Sequence, residues 1–301
     1  SCKESRTGFR DVIMSALWAV DDLVKATGGI ATFGENVGEW CAWRVEIDSR
    51  KVQAGDIFVA LRGERFDGHE YVADAFKRGA IAAIVERKLD IAGNQLVVGN
   101  SYRALNDLAI YNRTRSSAKI IGITGSVGKT TTKEMLKLAL SVHGKTYATT
   151  GNYNNHIGTP LNLANLPLDT QFAVFEMGMN HAYEIAHLTK MVRPHFAVIT
   201  GVEAVHLQYF SSIEEIATAK AEILEGLEAG GIAIMNADQP YFNHIKFPKI
   251  TFGVNEKADM RLLDYKPTMA GCEISASVQG VKLDYSIAAT GKHVAIISLS
   301  V

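Results

Sequence analysis

The segment Thr124-Gly125-Ser126-Val127-Gly128-Lys129-Thr130-Thr131 joins two glycines, a lysine and paired hydroxyls, a set suited to holding a polyphosphate. A glycine-rich turn aims backbone N–H groups at anionic oxygens, Lys129 adds a point charge, and Thr130 offers an oxygen to magnesium. Gly125, Ser126, Val127, Gly128, Lys129, Thr130 and Thr131 are therefore candidate nucleotide-binding residues. The spacing departs from G-x-x-x-x-G-K, whose first glycine would fall on Ile123. A glycine turn ahead of a surface helix is the plainer alternative.

Other residues have chemistry of their own. Glu176 closes the run Ala173-Val174-Phe175-Glu176 and precedes Met177-Gly178-Met179-Asn180. A carboxylate at a strand end beside a phosphate loop holds magnesium or orients a nucleophile, or else caps a helix. His206 follows another apolar run and is either a ligand or an ordinary packed or surface histidine. Lys220 lies in the stripe Ile213, Ile216, Ala217, Ile223, Leu224, Leu227, behind the capping box Ser212-x-x-Glu215. A lysine there needs compensation, because desolvation lowers its pKa, unless it snorkels to the edge. The loop from Thr149 to Pro160, with Asn154, Asn155 and His156, is dense in directional donors. Asp48-Ser49-Arg50 and Asp67-Gly68-His69 are similar, and Arg50 suits a phosphate or a carboxylate. Turn chemistry explains the remainder of those two segments equally well.

These residues need elements to place them. Residues 17 to about 98 read as a small α/β unit, with strands at 56–61 and 82–85 and a helix over 71–78 ended by Gly79. A helix over 102–113 leads into the phosphate-loop strand, and the domain boundary is placed near residue 99. Beyond it, strands at Ile120–Thr124, Phe172–Glu176, Phe196–Thr200 and Ile232–Asn236 alternate with helices, as in a doubly wound, mostly parallel sheet. Ligands bind such sheets beyond the carboxyl ends of the strands. That rule selects the phosphate loop, Glu176, the segment to His206, and Asn236 with Asp238. The helix after the loop is expected to carry Met135, Leu138 or Ala139, and Val142 on one face before Gly144. Past residue 250 an antiparallel hairpin turns at Gln279-Gly280, with Leu283, Tyr285 and Ile287 facing one way. The closing apolar run Ile296 to Val301 leads to the expectation that more chain normally follows.

Composition bounds the classes. The chain has 301 residues, 47% hydrophobic and 21% charged, ordinary globular usage with room for two cores. A net charge of −1 makes no global case for nucleic acid or an anionic membrane. No apolar run approaches the ~20 residues of a membrane span. The start is unlike a secretory signal. Cys2, Cys41 and Cys272 lack metal-ligand spacing and read as reduced thiols, so a cytoplasmic location is expected.

In combination these segments resemble the Mur ligase family, over nearly all of residues 17 to 301. The resemblance rests on Asp48-Ser49-Arg50, Gly55-Asp56-Ile57-Phe58-Val59-Ala60-Leu61 and Asp67-Gly68-His69, then on the phosphate loop and Asn154-Asn155-His156-Ile157-Gly158. Glu176-Met177-Gly178-Met179-Asn180 and Ala219-Lys220-Ala221-Glu222-Ile223 complete it. The Asn-Asn-His-Ile-Gly and Glu-Met-Gly-Met-Asn segments are similar to those of the dipeptide-adding members.

The resemblance implies an ATP-dependent ligase of peptidoglycan precursor synthesis that joins UDP-N-acetylmuramoyl-tripeptide to D-alanyl-D-alanine through an acyl phosphate. By it, the N-terminal domain (1–99) receives the UDP substrate, with Ser49, Arg50, Asn154, Asn155 and His156 as its contacts. The central domain (100–301) binds ATP, with Asn236 near the adenine. Thr130 and Glu176 fall on one magnesium, His206 near a second, and Lys220 on the lysine that the family carries as a carbamate. Lys129, Glu176, His206 and Lys220 are the catalytic set so implied. The chain departs from the family at Ile297, where asparagine is common. It also ends where a C-terminal Rossmann-type domain should begin, so the chain alone is expected to form no peptide bond. Another superfamily ligase, of third-residue-adding or folylpolyglutamate type, and a non-catalytic nucleotide-binding module are the competing readings.

Overall fold

The buried runs around Phe58 and Ala83 form the middle of a five-stranded sheet, the centre of the first of two compact units. One unit runs to Ser116 and takes in Pro160–Leu168; the other comprises Ser117–Thr159 and Asp169–Val301. This computed structural model describes residues 16–32, 40–151, 153–204, 208–243 and 245–301.

In the first unit, β1 (Trp18–Ala19) leads into helix α1 (Val20–Thr27), then come β2 (Ile30–Thr32), β3 (Cys41–Ala42), β4 (Arg44–Glu46) and β5 (Asp56–Val59). Helix α2 (Val72–Lys77), β6 (Ala82–Val85), β7 (Asn94–Val97) and helix α3 (Ser101–Arg115) follow. The sheet order is β2-β7-β6-β5-β4, parallel except for β2, while β1 pairs with β3 apart from it. All four residues of β5 and of β6 are buried, which is why both read as continuous apolar runs rather than alternating ones.

The unit ends after α3, not near residue 99. Ala104, Leu105, Leu108 and Ala109 bury the inner face of α3, which packs on α1 and β6. A change of pattern at Gly99 marks a loop between elements of one core, which sequence alone does not distinguish from a domain edge.

Asn112, on α3, joins segment 160–168 to this core. It is fully buried, and its Nδ2 donates to the carbonyls of Leu163 at 2.8 Å and Leu166 at 2.9 Å. Asn112→Ala should therefore lower the unfolding free energy by about 2–3 kcal/mol, since buried acceptors are left unpaired. Urea unfolding followed by circular dichroism measures it.

The second unit opens with β8 (Lys119–Thr124), helix α4 (Lys129–Ser141), β9 (Thr146–Ala148), helix α5 (Gly158–Ala164), which crosses into the first unit's segment, and β10 (Phe172–Glu176). Helix α6 (Glu184–Val192), β11 (Phe196–Ile199), helix α7 (Ile213–Ala221), β12 (Ile232–Asn236) and β13 (Lys249–Gly253) continue it. Strands β14 (Met260–Thr268), β15 (Gly271–Val278) and β16 (Val281–Ile287) and helix α8 (Lys292–Ser298) close it. The nine strands run β16-β15-β14-β13-β12-β11-β8-β10-β9, parallel from β9 to β14 and antiparallel through the last two pairs. Strand β8 lies between β10 and β11, so the chain leaves it first to one side and then to the other. The crevice beyond its carboxyl end is thus a topological switch point.

The hairpin turns at Gln279-Gly280, with both residues at positive φ (49° and 85°). Leu283, Tyr285 and Ile287 lie opposite Ala276, Ile274 and Cys272. The face of α4 differs from expectation. Leu138 and Val142 are 76% and 79% exposed, and Thr132, Lys133 and Leu136 are buried instead. The left-handed Gly128 at the N-cap sets the helix phase, and that geometry is invisible to a periodicity count.

Of the cysteines read as reduced thiols, Cys272 is free and buried, Cys41 is disulfide-bonded, and Cys2 lies outside the described residues. The expectation thus fails at Cys41, since spacing along a chain does not show which thiols folding brings together. Among the described residues, no helix is long and apolar enough to cross a membrane.

Candidate functional site

The loop between β8 and α4 is shaped by two glycines that no other residue replaces without strain. Gly125 has φ 153°, and a Cβ there would fall 2.0 Å from Thr200 Oγ1. Gly128 has φ 81°, and its Cβ would meet Ile297 Cδ1 at 2.4 Å. The parallel register sets Ile199 beside Thr124, which delivers Thr200 to the loop. Its hydroxyl donates to Val127 O at 2.5 Å, and Ser126 N donates to Gly201 O at 2.7 Å. The loop is thus braced from the neighbouring strand. Sequence reading found the loop but missed Thr200, whose only signal was its place at the end of an apolar run.

Lys129 begins α4 and turns its ammonium back to Gly125 O at 2.8 Å. Burial holds its pKa below the usual lysine value, partly opposed by the Glu176 carboxylate. Glu176, paired in register with Ile123, is buried and accepts from Thr130 Oγ1 at 3.1 Å and from Asn154 Nδ2 at 3.0 Å. Its own backbone N–H donates to Thr149 Oγ1 at 3.2 Å. The strand-end carboxylate therefore ties the Asn154 loop to the first turn of α4.

Lys220 is 3% exposed, and its pKa falls to about 7, first through burial and then through the charge of Lys129. The stripe predicted for it exists, although the α-helix ends at Ala221 and a 3₁₀ turn (Glu222–Gly226) carries the rest. Gly226 explains the tightening, because a Cβ there would lie 2.2 Å from Thr189 O. Ser212 caps α7 as expected, accepting from Glu215 N at 3.2 Å; the Glu215 carboxylate reaches Ser211 N at 2.8 Å rather than the cap's own N–H.

The other predicted residues are placed as follows. Asn155 Oδ1 accepts from Ile157 N and Gly158 N, a turn that starts α5, and the neighbouring His156 is exposed. Asn236 ends β12, with its side chain accepting from Asp238 N at 2.8 Å. In the first unit, Ser49 begins a 3₁₀ turn capped by Asp48, and the exposed Arg50 guanidinium makes a two-pronged pair with Asp48 at 2.9 and 2.8 Å. That pair holds the Asp48 carboxyl below its ordinary range. Asp67 caps the next 3₁₀ turn and pairs with the Nδ1 of buried His69, whose Nε2 accepts from Glu86 N at 2.8 Å. His206 lies outside the described residues. Among those described, Thr130 and Glu176 are the predicted metal-site residues in hydrogen-bond contact, and no group of three or more His, Cys, Asp or Glu has metal-binding geometry.

Sequence reading also passed over Glu222. It is buried, and its carboxylate accepts from Tyr183 N at 2.6 Å and Ala186 N at 3.0 Å. Burial pushes its pKa up against those bonds. An acid two residues beyond a buried lysine was the available signal.

Comparison with known proteins agrees with this geometry. The Mur ligase middle domain matches residues 123–296, and the Mur ligase family catalytic domain matches 44–116. The UDP-N-acetylmuramoyl-tripeptide–D-alanyl-D-alanine ligase of Rickettsia prowazekii (strain Madrid E) is 40% identical over 261 residues, 83% of this chain and 58% of that protein. The crystal structure of MurF from Acinetobacter baumannii aligns with a TM-score of 0.83 at 33% identity, covering 94% of this chain and 64% of that one. MurF ligase from Thermotoga maritima in complex with ADP aligns at 0.76 and 30% identity, covering 85% and 61%. The chain thus spans less than two thirds of the length of each.

Proposed function

The chain belongs to the Mur ligase family, and from that premise we propose that it forms the substrate- and ATP-binding part of a cytoplasmic ligase of peptidoglycan precursor synthesis. The reaction proposed adds D-alanyl-D-alanine to UDP-N-acetylmuramoyl-tripeptide with ATP. The observation that carries the reading is one constellation: a glycine cradle, the half-buried Lys129 whose charge acts on the buried Lys220, and a strand-end carboxylate bonded to the hydroxyl that follows Lys129. A buried ammonium whose protonation is depressed by burial and by the charge of Lys129 is stabilised by a polyanion. The named relatives give the substrate class.

Magnesium fits these residues, since it takes one or two carboxylates and completes its shell with phosphate oxygens and water. Thr130 and Glu176 would hold it, and when bound it neutralises charge between the γ-phosphate and the attacking peptide carboxylate. The chain's own groups do the rest. The loop amides and Lys129 receive the phosphates, with Lys129 exchanging Gly125 O for a phosphate oxygen. Glu176 keeps Thr130 and the Asn154 loop in place, so the acceptor carboxylate is presented in line with the bond that breaks. The peptide carboxylate then attacks the γ-phosphorus of ATP, breaking its bond to the bridging oxygen and releasing ADP to give the acyl phosphate. The dipeptide amine attacks the acyl carbon, losing a proton and expelling phosphate to make the amide.

Lys220 is assigned as a carbamate. Near neutral pH a large share of an amine with pKa about 7 is unprotonated, and the free amine is the form that adds carbon dioxide. The N–C bond forms with loss of a proton, leaving a carboxylate beside Lys129. His206 is kept as a metal-side residue, and Asn236 as the adenine neighbour, on the family resemblance. Ser49 and Arg50 are assigned to the UDP ligand, and Asn154, Asn155 and His156 are kept as substrate residues, on the family resemblance.

Phosphate release by the protein purified from its source should require ATP, UDP-muramoyl-tripeptide and D-alanyl-D-alanine together. Release that ignores either peptide substrate would overturn the ligase reading. Titration calorimetry tests the division of labour: Arg50→Ala should weaken the UDP ligand about tenfold while leaving ATP affinity unchanged.

A further inference from the structure

Tyr183 is a large aromatic residue at φ 70° and 79% exposed. Glycine is the residue that adopts such a backbone freely, and an aromatic residue with so little burial gains little packing to offset the strain. A buried group from another element holds the conformation. The Glu222 carboxylate accepts from the N–H groups of Tyr183 and Ala186 and so serves as the cap that α6 lacks, since Tyr183 at its N-cap makes no side-chain cap bond.

The Tyr183 ring borders a cavity of about 350 Å³ that is also lined by His156, Gly178, Glu184, His187 and Leu188. This cavity adjoins the proposed phosphoryl-transfer residues. Gly178 N donates to Asn154 O at 2.8 Å, and Asn154 in turn holds Glu176. Strained residues that the surrounding structure over-determines recur at ligand clamps. Glu222 opens the 3₁₀ turn that directly follows α7 and its Lys220, so one stretch of backbone serves both places.

We propose that Tyr183, set in place by Glu222, is a specificity-determining residue that receives the peptide portion of the UDP-linked substrate in this cavity. The inference rests on the ligase reading above. The acyl carboxylate of that peptide must reach the γ-phosphate beside Glu176, and the cavity is the recess next to that point within the same unit. Tyr183 offers a ring face and a hydroxyl, and His187 offers an imidazole, which suit amide and carboxylate groups of a short peptide. Glu222 acts through Tyr183 and is a positioning residue.

The test compares UDP-N-acetylmuramoyl-tripeptide, UDP-N-acetylmuramic acid without peptide, and ATP, each titrated calorimetrically into the wild-type chain and its variants. Tyr183→Gly should bind the tripeptide ligand about tenfold more weakly, with the other two ligands unchanged. Its melting temperature should stay level or rise, because glycine relieves the backbone. Glu222→Ala should reproduce the peptide-specific loss, and Glu222→Gln, which keeps one acceptor oxygen, should fall between it and wild type. Tyr183→Gly carries the test alone if Glu222→Ala fails to fold. Equal tripeptide affinity in Tyr183→Gly and wild type overturns the inference, as does a parallel loss for UDP-muramic acid. If the wild-type chain binds neither UDP ligand, the ligase reading itself fails and takes this inference with it.

Discussion

Lys220→Ala should lower ligase turnover of the whole enzyme by at least about a hundredfold, roughly 2.7 kcal/mol of transition-state stabilisation, without loss of fold. The position explains both halves. Lys220 is 3% exposed and neighbours Lys129, so as an ammonium it is a cost to the folded state, and as a carbamate it is paired with the cation beside it. Alanine removes the charge, keeps the helix and leaves a small void. Stability as a function of pH gives an independent reading. A free amine with a folded pKa of about 7 against an ordinary 10.5 binds fewer protons folded than unfolded across that interval. Wild-type stability should then climb between pH 7 and 10.5 relative to Lys220→Ala, and its penalty should be complete below pH 7. A carbamate abolishes that slope, so chemical denaturation at several pH values, with and without bicarbonate, separates the two forms. Near-normal turnover in Lys220→Ala would end its assignment to the catalytic set.

Gly125→Ala should reduce ATP affinity by about a hundredfold or more and lower the melting temperature as well. The added methyl would sit 2.0 Å from Thr200 Oγ1, at a φ of 153° that disfavours a side chain. Moving Thr200 breaks its bond to Val127 O, and the loop amides then lose their common direction. Gly128→Ala should be milder, because the atom it meets is the far end of the Ile297 side chain. Adding Thr200→Ala to Gly125→Ala should recover part of the stability and little of the ATP affinity, since the left-over strain lies in the backbone. Calorimetric titration with magnesium-ATP and differential scanning measure the two effects. Wild-type ATP binding by Gly125→Ala would remove the loop from the nucleotide site.

Much of this arrangement was legible because it depends on short stretches of chain. Parallel strands buried on both faces show as apolar runs, and the glycines, Lys129 and Thr130 are contiguous. Lys220 was visible as a charge in an apolar stripe. What stayed hidden depends on contacts distant in sequence. Leu136 replaced Leu138 on the buried face because a left-handed glycine fixes where α4 begins. Segment 160–168 joins the first unit through bonds such as those of Asn112 to Leu163 and Leu166, which no periodicity reveals. Glu222 looks like one more acid on a helix until the fold sets it against the N–H of Tyr183.

The meeting of Ile297 with Gly128 also bears on how the protein acquires its shape. The phosphate loop stands near the start of the second unit, yet the side chain against it comes from α8, nearly the whole unit later in the sequence. Between them lie six further parallel strands and the two antiparallel strands β15 and β16, and α8 and the residue after it pack on the core beneath these last strands through Ala295 and Leu299. Such high contact order makes docking of α8 a late event in folding. The loop therefore leaves the ribosome well before the side chain that packs against it and is among the last parts of this unit to reach its working form, and nucleotide binding should serve as a reporter of completed folding in this unit.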